Sequence, residues 1–73
     1  MPLTLAPERR SIRIESLPAQ RTIQQRLLAI GIKPGVRVEV LRRGKPGGIL
    51  HVACGIMEFM IRHEDAAEMD VSV

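Results

Sequence analysis

The sequence is almost without aromatic residues: it contains no tryptophan and no tyrosine, and Phe59 is its single phenylalanine. Proteins that bind single-stranded nucleic acid usually stack the bases on aromatic rings, and one ring offers no such platform. The core of the 73-residue chain must therefore be built from aliphatic side chains and methionine. A chain of this length forms one domain at most and buries only about 60% of its unfolded surface.

Cysteine is equally scarce, since Cys54 is the only one. A single cysteine excludes an internal disulfide, which fits a reducing compartment. We expect Cys54 to be a small buried side chain, because free cysteine is among the most buried residue types. His51 precedes it on the same predicted strand, where alternation places the two side chains on opposite faces.

Long apolar runs are absent as well, because no segment approaches the roughly 20 residues that cross a bilayer. Residues 1–7 lack a basic start followed by an apolar stretch, so no signal peptide is predicted. We expect a cytoplasmic protein. The charge excess is small, with 11 basic against 8 acidic residues and a formal net charge of +3. That excess permits attraction to an acidic protein, a membrane surface or nucleic acid, and selects none of them.

The motifs of common catalytic sites are also missing. The chain has no nucleophile elbow, dinucleotide fingerprint or zinc-protease helix. The glycine-rich segment 44–48 is not followed by a predicted helix, whereas a phosphate-binding loop needs one. We therefore predict that the protein is not an enzyme and assign no catalytic residue.

The residues that are present indicate a small, mainly β domain. Residues 1–10 predict an irregular lead-in, and a single domain is predicted over residues 11–73. Alternating apolar residues predict five strands, which cover residues 11–17, 36–43, 49–54, 56–62 and 69–73. Five short strands can hide their edges by curling into a barrel.

Two helical segments are predicted between these strands. Thr22 and Gln25 have the spacing of a capping box, which predicts that a short helix begins at Thr22 and ends at Ile30. It lies between the first two strands. Residues 63–68 predict one helical turn before the last strand, with acidic residues near its start as the helix dipole favours.

The sharpest local signal is the corner from Gln25 to Val36. Gly31 suits the left-handed position that ends a helix, and Ile32 can pack back on the preceding turn. The residues Lys33-Pro34-Gly35-Val36 fit a type II turn, which needs positive φ at its third position. We therefore assign Gly31, Pro34 and Gly35 a structural role.

Two places offer ligands for a metal ion. His63 and Glu64 lie together in the predicted helical turn, and His51 lies on the third strand. Imidazole and carboxylate suit divalent transition metals, so His63, Glu64 and His51 are the candidate metal ligands. The alternatives are a solvated helix start and adventitious binding, because neighbouring helical residues point in different directions.

One apolar feature falls on the predicted outer face. Leu41, Ile49 and Met60 occupy outward positions of three successive strands. They form a patch if those strands pair in sequence, and such patches mark partner sites. Scattered exposed apolar residues are the alternative, since these are normal on protein surfaces.

The corner resembles a known family. The segment Gln25-Arg26-Leu27-Leu28-Ala29-Ile30-Gly31-Ile32-Lys33-Pro34-Gly35 is similar to the signature of ferrous iron transport protein A (FeoA) domains. The valine-rich strand 36–42 and the closing segment 60–71 also resemble that family. Residues 8–11 depart from it, because Glu8-Arg9-Arg10-Ser11 stands where members often have a glycine-containing turn.

The resemblance implies an SH3-like barrel and a cytosolic accessory protein of bacterial ferrous iron uptake. The implied partner is the membrane GTPase transporter, ferrous iron transport protein B, which such domains regulate or scaffold. No cofactor is required, although weak Fe(II) or Zn(II) binding is an alternative function. A barrel that binds nucleic acid is another alternative function, although no nucleic-acid partner is expected. Whether the protein forms a homodimer is left open by the sequence. The predicted partner-binding residues are Gln24, Gln25, Arg26, Leu41, Arg43, Lys45 and Met60.

Overall fold

The five predicted strands and the two helical segments are all present. The structure is a computed structural model that describes residues 1–73. The strands are β1 (Ser11–Ser16), β2 (Arg37–Arg43), β3 (Leu50–Cys54), β4 (Met57–Ile61) and β5 (Asp70–Ser72). Helix α1 (Arg21–Ala29) joins β1 to β2, and the short helix α2 (His63–Ala66) precedes β5. Neither helix has the length and apolar character that a membrane span requires.

All strand pairs are antiparallel, and the order across the sheet is β4-β3-β2-β1-β5. The sheet encloses one core of 15 buried hydrophobic residues, and no polar side chain is buried. Phe59 only packs against the margin of this core. The core is therefore aliphatic with one methionine, as the lack of aromatic residues predicts. Its members are Leu3, Ala6, Ile12, Ile14, Ile23, Leu27, Ile32, Val38, Val40, Leu50, Val52, Ile61, Ala66, Met69 and Val71.

The first ten residues differ from the irregular lead-in that the sequence predicts. They contain a 3-10 helix (Leu3–Leu5), and Leu3 and Ala6 are fully buried. The Leu3 N–H donates to the Met69 carbonyl at 2.9 Å, and the Val71 N–H donates to the Met1 carbonyl at 2.7 Å. The N-terminal residues therefore cover the outer edge of β5 and pack into the same core as the strands.

The predicted capping box at the start of α1 is wrong. The helix begins at Arg21, and no side chain caps its first N–H groups. Thr22 lies inside the first turn. The start is set by packing, because Ile23 and Leu27 are the residues that α1 buries in the core. A cap contributes only about 1 kcal/mol, which is less than two buried aliphatic side chains contribute.

The predicted corner after α1 is confirmed. Gly31 has a φ of 86°, and the Ile32 N–H donates to the Leu27 carbonyl at 2.8 Å. The second bond of this helix stop runs from the Gly31 N–H to the Leu28 carbonyl at 3.0 Å, the Schellman pattern. The residues 33–36, which we call the corner turn, are closed by a bond from the Val36 N–H to the Lys33 carbonyl at 3.1 Å.

The loop from β2 to β3 contains a second turn of the same kind. The residues 45–48, which we call the loop turn, are closed by a bond from the Gly48 N–H to the Lys45 carbonyl at 2.8 Å. Gly47 has a φ of 78° in its third position. The glycine-rich segment 44–48, for which the sequence predicts a flexible loop, therefore contains an ordered turn.

A bulge in β2 changes the face of the residues that follow it. Val40 pairs with Val52, but the next pair joins Arg42 to His51, so Leu41 is an extra residue. An extra residue shifts every later side chain to the opposite face. Arg42 consequently faces outward, and Arg43 takes the inner position that strict alternation would give to Arg42.

Candidate protein-binding grooves

Two adjoining grooves share the side chain of Met60. The first, which we call the apolar groove, lies between α1 and β4 and has a volume of about 500 Å³. Its residues are Ile23, Arg26, Leu27, Ile30, Phe59, Met60, Arg62 and Asp65. The second, which we call the basic groove, lies on the outer face of β2 to β4 and has a volume of about 430 Å³. Its residues are Arg42, Arg43, Gly44, Lys45, Ile49, His51 and Met60.

The floor of the apolar groove follows from the helical period of α1. Ile23 and Leu27 are one turn apart, so the same helical face enters the core and forms the floor of the groove. Ile30 at the end of the helix is 42% exposed, and Met60 opposite it is 69% exposed. The half-buried ring of Phe59 completes the apolar surface. Water-exposed apolar side chains in one concave site favour the binding of another apolar surface.

Two cations in the basic groove have no acidic partner. Arg42 and Lys45 form none of the ion pairs in the molecule. His51 differs, because its Nε2 lies 2.8 Å from the Glu58 Oε1. Arg42 and Lys45 are therefore the side chains of this groove that are free to pair with an acidic ligand.

Arg43 is held by the N-terminal segment. Its Nε donates to the Thr4 carbonyl at 3.0 Å, and its Nη1 lies 3.7 Å from the Glu8 Oε2. Its backbone N–H also donates to the Glu8 carboxylate at 3.1 Å. These contacts give Arg43 a structural role beside its place in the groove lining.

The other predicted partner-binding residues lie in different places. Arg26 and Met60 line the apolar groove, and Lys45 lines the basic groove. Gln24 donates its Nε2 hydrogen to the Ala19 carbonyl at 3.4 Å, and neither it nor Gln25 lines a groove.

Leu41 is separated from the apolar residues with which the sequence groups it. It is half-buried and lines a third groove with Arg37, Glu39 and Glu58. Ile49 and Met60 do share one groove, the basic groove. The predicted patch is therefore reduced to two of its three members.

Most side chains of these grooves were not predicted as partner-binding residues, and Phe59 and Arg42 show why. Phe59 is the one aromatic residue, but strand alternation marks it only as core. Arg42 is not recognised from the sequence because of the bulge, since unbroken alternation with Val38 and Val40 predicts an inward side chain. No local signal in β2 reveals the bulge, since Leu41 is an ordinary strand residue.

The three predicted metal ligands do not form a cluster. His51 pairs with Glu58 on the outer face of the sheet. His63 borders a small cavity of about 90 Å³ with Arg43 and Lys45. Glu64 is exposed, and its carboxylate lies 3.4 Å from the Arg62 Nε. No three His, Cys, Asp or Glu side chains come together as a metal site.

A curled five-stranded antiparallel sheet with a helix between β1 and β2 defines an SH3-like domain, as the resemblance in the sequence implies. The chain belongs to the FeoA domain family, whose model matches residues 1–73. This confirms the resemblance carried by the corner from Gln25 to Val36. No protein in the curated comparison set matches the chain.

Solved structures show the same fold. The solution structure of the FeoA protein from Chlorobium tepidum is 25% identical with a TM-score of 0.91, covering 100% of this chain and 70% of that one. The Stenotrophomonas maltophilia FeoA complexed with zinc is 29% identical with a TM-score of 0.82, covering 99% and 89%. That protein is described as a prokaryotic SH3 domain protein and a candidate ferrous iron transport activating factor. A manganese-dependent transcriptional repressor, 19% identical with a TM-score of 0.85, covers 100% of this chain and 40% of its own, and shows the fold alone.

Proposed function

We propose that this protein is a cytoplasmic accessory module of bacterial ferrous iron uptake. It binds the cytosolic domain of the membrane GTPase transporter, ferrous iron transport protein B, and regulates or scaffolds it. Membership of the FeoA family supports this role, as does the description of the S. maltophilia protein. The proposal requires no bound cofactor and no catalytic residue.

The observation that carries the proposal is the pair of grooves joined at Met60. An exposed methionine stands between an apolar surface and two unpaired cations, Arg42 and Lys45. Protein interfaces commonly combine an apolar centre, enriched in methionine and arginine, with a polar rim. The grooves therefore have the chemistry of a site for an acidic protein surface with apolar anchors.

A pull-down with the transporter's cytosolic domain tests this function. The domain is captured in the presence of GTP, of GDP and without nucleotide, and we expect retention in at least one of these states. Absence of binding in every state contradicts the proposal. Adding salt should weaken the complex without abolishing it, because screening acts on the cations and spares the apolar contact.

Two serine variants locate the contact surface. Met60→Ser removes the side chain that both grooves share, so we expect it to lower transporter binding by about tenfold, or about 1.4 kcal/mol, which is more than most interface residues contribute. Leu41→Ser is the matched control, because Leu41 lines a different groove. Equal effects of the two substitutions would show that the grooves at Met60 are not the contact surface.

A further inference from the structure

The two edge strands of the sheet differ in whether another segment pairs with their outer edge. The outer edge of β5 is covered by the N-terminal segment, through the Val71 to Met1 bond at 2.7 Å and a bridge between Pro2 and Asp70. No segment pairs with the outer edge of β4, which ends the strand order. An open strand edge is a template for pairing with another chain.

The register of the β3–β4 hairpin shows which groups are open. Cys54 pairs with Met57 across a two-residue tip, so this pair exchanges both backbone hydrogen bonds. The alternation continues along β4, and Phe59 and Ile61 also bond to β3. The N–H and C=O groups of Glu58 and Met60 consequently point away from the sheet. None of the backbone bonds outside the regular elements uses these groups.

The apolar groove runs along this open edge. Phe59 and Met60 are consecutive strand residues, so their side chains lie on opposite faces of the sheet. Both line the same groove, and one groove can touch both faces only where it follows the edge of the strand. Its other wall is formed by Ile23 of α1 and by Ile30, the residue that follows the helix.

We propose that the open edge of β4 and the apolar groove together bind an extended peptide segment of a partner protein by strand addition. The peptide backbone pairs with Glu58 and Met60, and its alternate side chains enter the space between Phe59 and α1. Main-chain bonds supply affinity and side-chain pockets supply specificity in this mode of recognition. The proposal deepens the proposed function and rests on it, because it names the part of the partner that is bound.

The charges around the groove indicate an acidic residue in the peptide. Arg26 lies on the rim and forms no ion pair, whereas Arg62 is already paired with Glu64 and Asp65. The chain as a whole carries a formal net charge of +3. The segment that fits has apolar residues at alternate positions and an aspartate or glutamate that reaches Arg26.

The direct test uses a probe of this chemistry and the full 73-residue chain. The probe is a library of end-blocked hexapeptides in which Val, Ile or Leu alternates with Asp, Thr or Ser, titrated into isotope-labelled protein and followed by NMR. We expect the amide signals of Glu58 and Met60 to shift and to become protected from hydrogen exchange. Methylating one pairing amide of the bound peptide should weaken binding about fivefold or more, because each backbone bond contributes about that factor.

Two matched pairs of variants sharpen the test. Met60→Lys places a charge at the open edge and should abolish the shifts, while Ile56→Lys alters a fully exposed apolar residue at the hairpin tip and should not. Arg26→Glu should weaken acidic peptides about twofold to fivefold, the range of an exposed ion pair. Arg21→Glu, on the same helix but outside the groove, should leave binding unchanged.

Several outcomes overturn the proposal. Absence of peptide-induced shifts at Glu58 and Met60 does so, and so does binding that survives backbone methylation. If the same amides become protected without peptide as the protein concentration rises, and the particle mass doubles, the edge of β4 binds a second copy of this chain instead. If the transporter is retained by wild type and by Met60→Lys alike, the strand-addition site fails while the proposed function stands. If peptides bind but the transporter does not, the proposed partner fails and the site stands.

Discussion

The corner turn and the loop turn begin with the same three residues, Lys-Pro-Gly, and have the same local structure. Each is closed by a bond from the N–H of its fourth residue to the carbonyl of its lysine, at 3.1 Å and 2.8 Å. Each has positive φ at its glycine, 96° and 78°. The tripeptide therefore specifies the turn wherever it stands, because proline fixes φ at the second position and glycine accepts positive φ at the third.

The surroundings of the two turns differ. The corner turn is tied to β1, because the Gly35 N–H donates to the Ile14 carbonyl at 2.7 Å. It also follows Ile32, which is fully buried. The loop turn lies at the exposed rim of the basic groove and is followed by Ile49, which is 51% exposed. The corner turn consequently stabilises the domain, and the loop turn places its side chains at the surface beside the basic groove.

The largest expected effect is on stability, and it differs between the two isoleucines beside the turns. Ile32→Ala should lower the free energy of unfolding by about 2–5 kcal/mol, because it leaves a cavity in the core. Ile49→Ala, beside the loop turn, should change it by less than about 0.5 kcal/mol. Urea denaturation of both variants measures the difference. Similar values for the two would contradict the assignment of the corner turn to the core.

A smaller effect is expected at the two glycines. A Cβ at Gly35 or at Gly47 meets no atom within 4 Å, so the cost of alanine is conformational at both. Gly35→Ala should cost about 1–2 kcal/mol, because the bond to Ile14 holds its left-handed conformation.

Gly47→Ala should cost less than about 1 kcal/mol, because no backbone bond ties Gly47 itself to a strand and the loop turn can change to a type I turn, which needs no positive φ. Thermal denaturation compares the two glycine variants under the same conditions. An equal loss of stability would mean that the loop turn is held as rigidly as the corner turn.

The smallest effect concerns the two lysines and is expected in binding alone. Lys45→Glu reverses a free cation in the basic groove and should weaken transporter binding about twofold to fivefold at low salt. Lys33→Glu makes the same change in the corner turn, outside both grooves, and should leave binding as it is. Calorimetric titration at two salt concentrations measures both variants. Weaker binding by Lys33→Glu alone would place the contact surface at the corner turn instead of the basic groove.

Much of the fold can be predicted from the sequence because its signals are local. Alternation gives the strands, and the helix stop at Gly31 and the corner turn depend on residues close together in the chain. The start of α1 fails as a prediction because a weak capping signal at Thr22 competes with the burial of Ile23 and Leu27. Likewise, no local pattern in the N-terminal segment reveals that Ala6 enters the core.

The candidate site is less predictable for the same physical reason. Arg26, Lys45 and Met60 are named by the sequence, because exposed positions of helices, loops and alternating strands follow from local pattern. Arg42 and Arg43 exchange faces at the bulge after Val40, and this depends on how β2 pairs with β3. The open edge of β4 is also a property of the whole sheet, since it exists only because no other segment pairs there.

The sequence by itself determined the corner turn, the aliphatic core and the family, because each rests on residues that are neighbours in the chain or on composition. The tertiary structure alone decided which turn anchors the domain and which one borders a groove. It also decided that the N-terminal segment covers β5 while β4 stays open. Long-range pairing and packing fix these features, and identical local sequences carry no information about what they pack against.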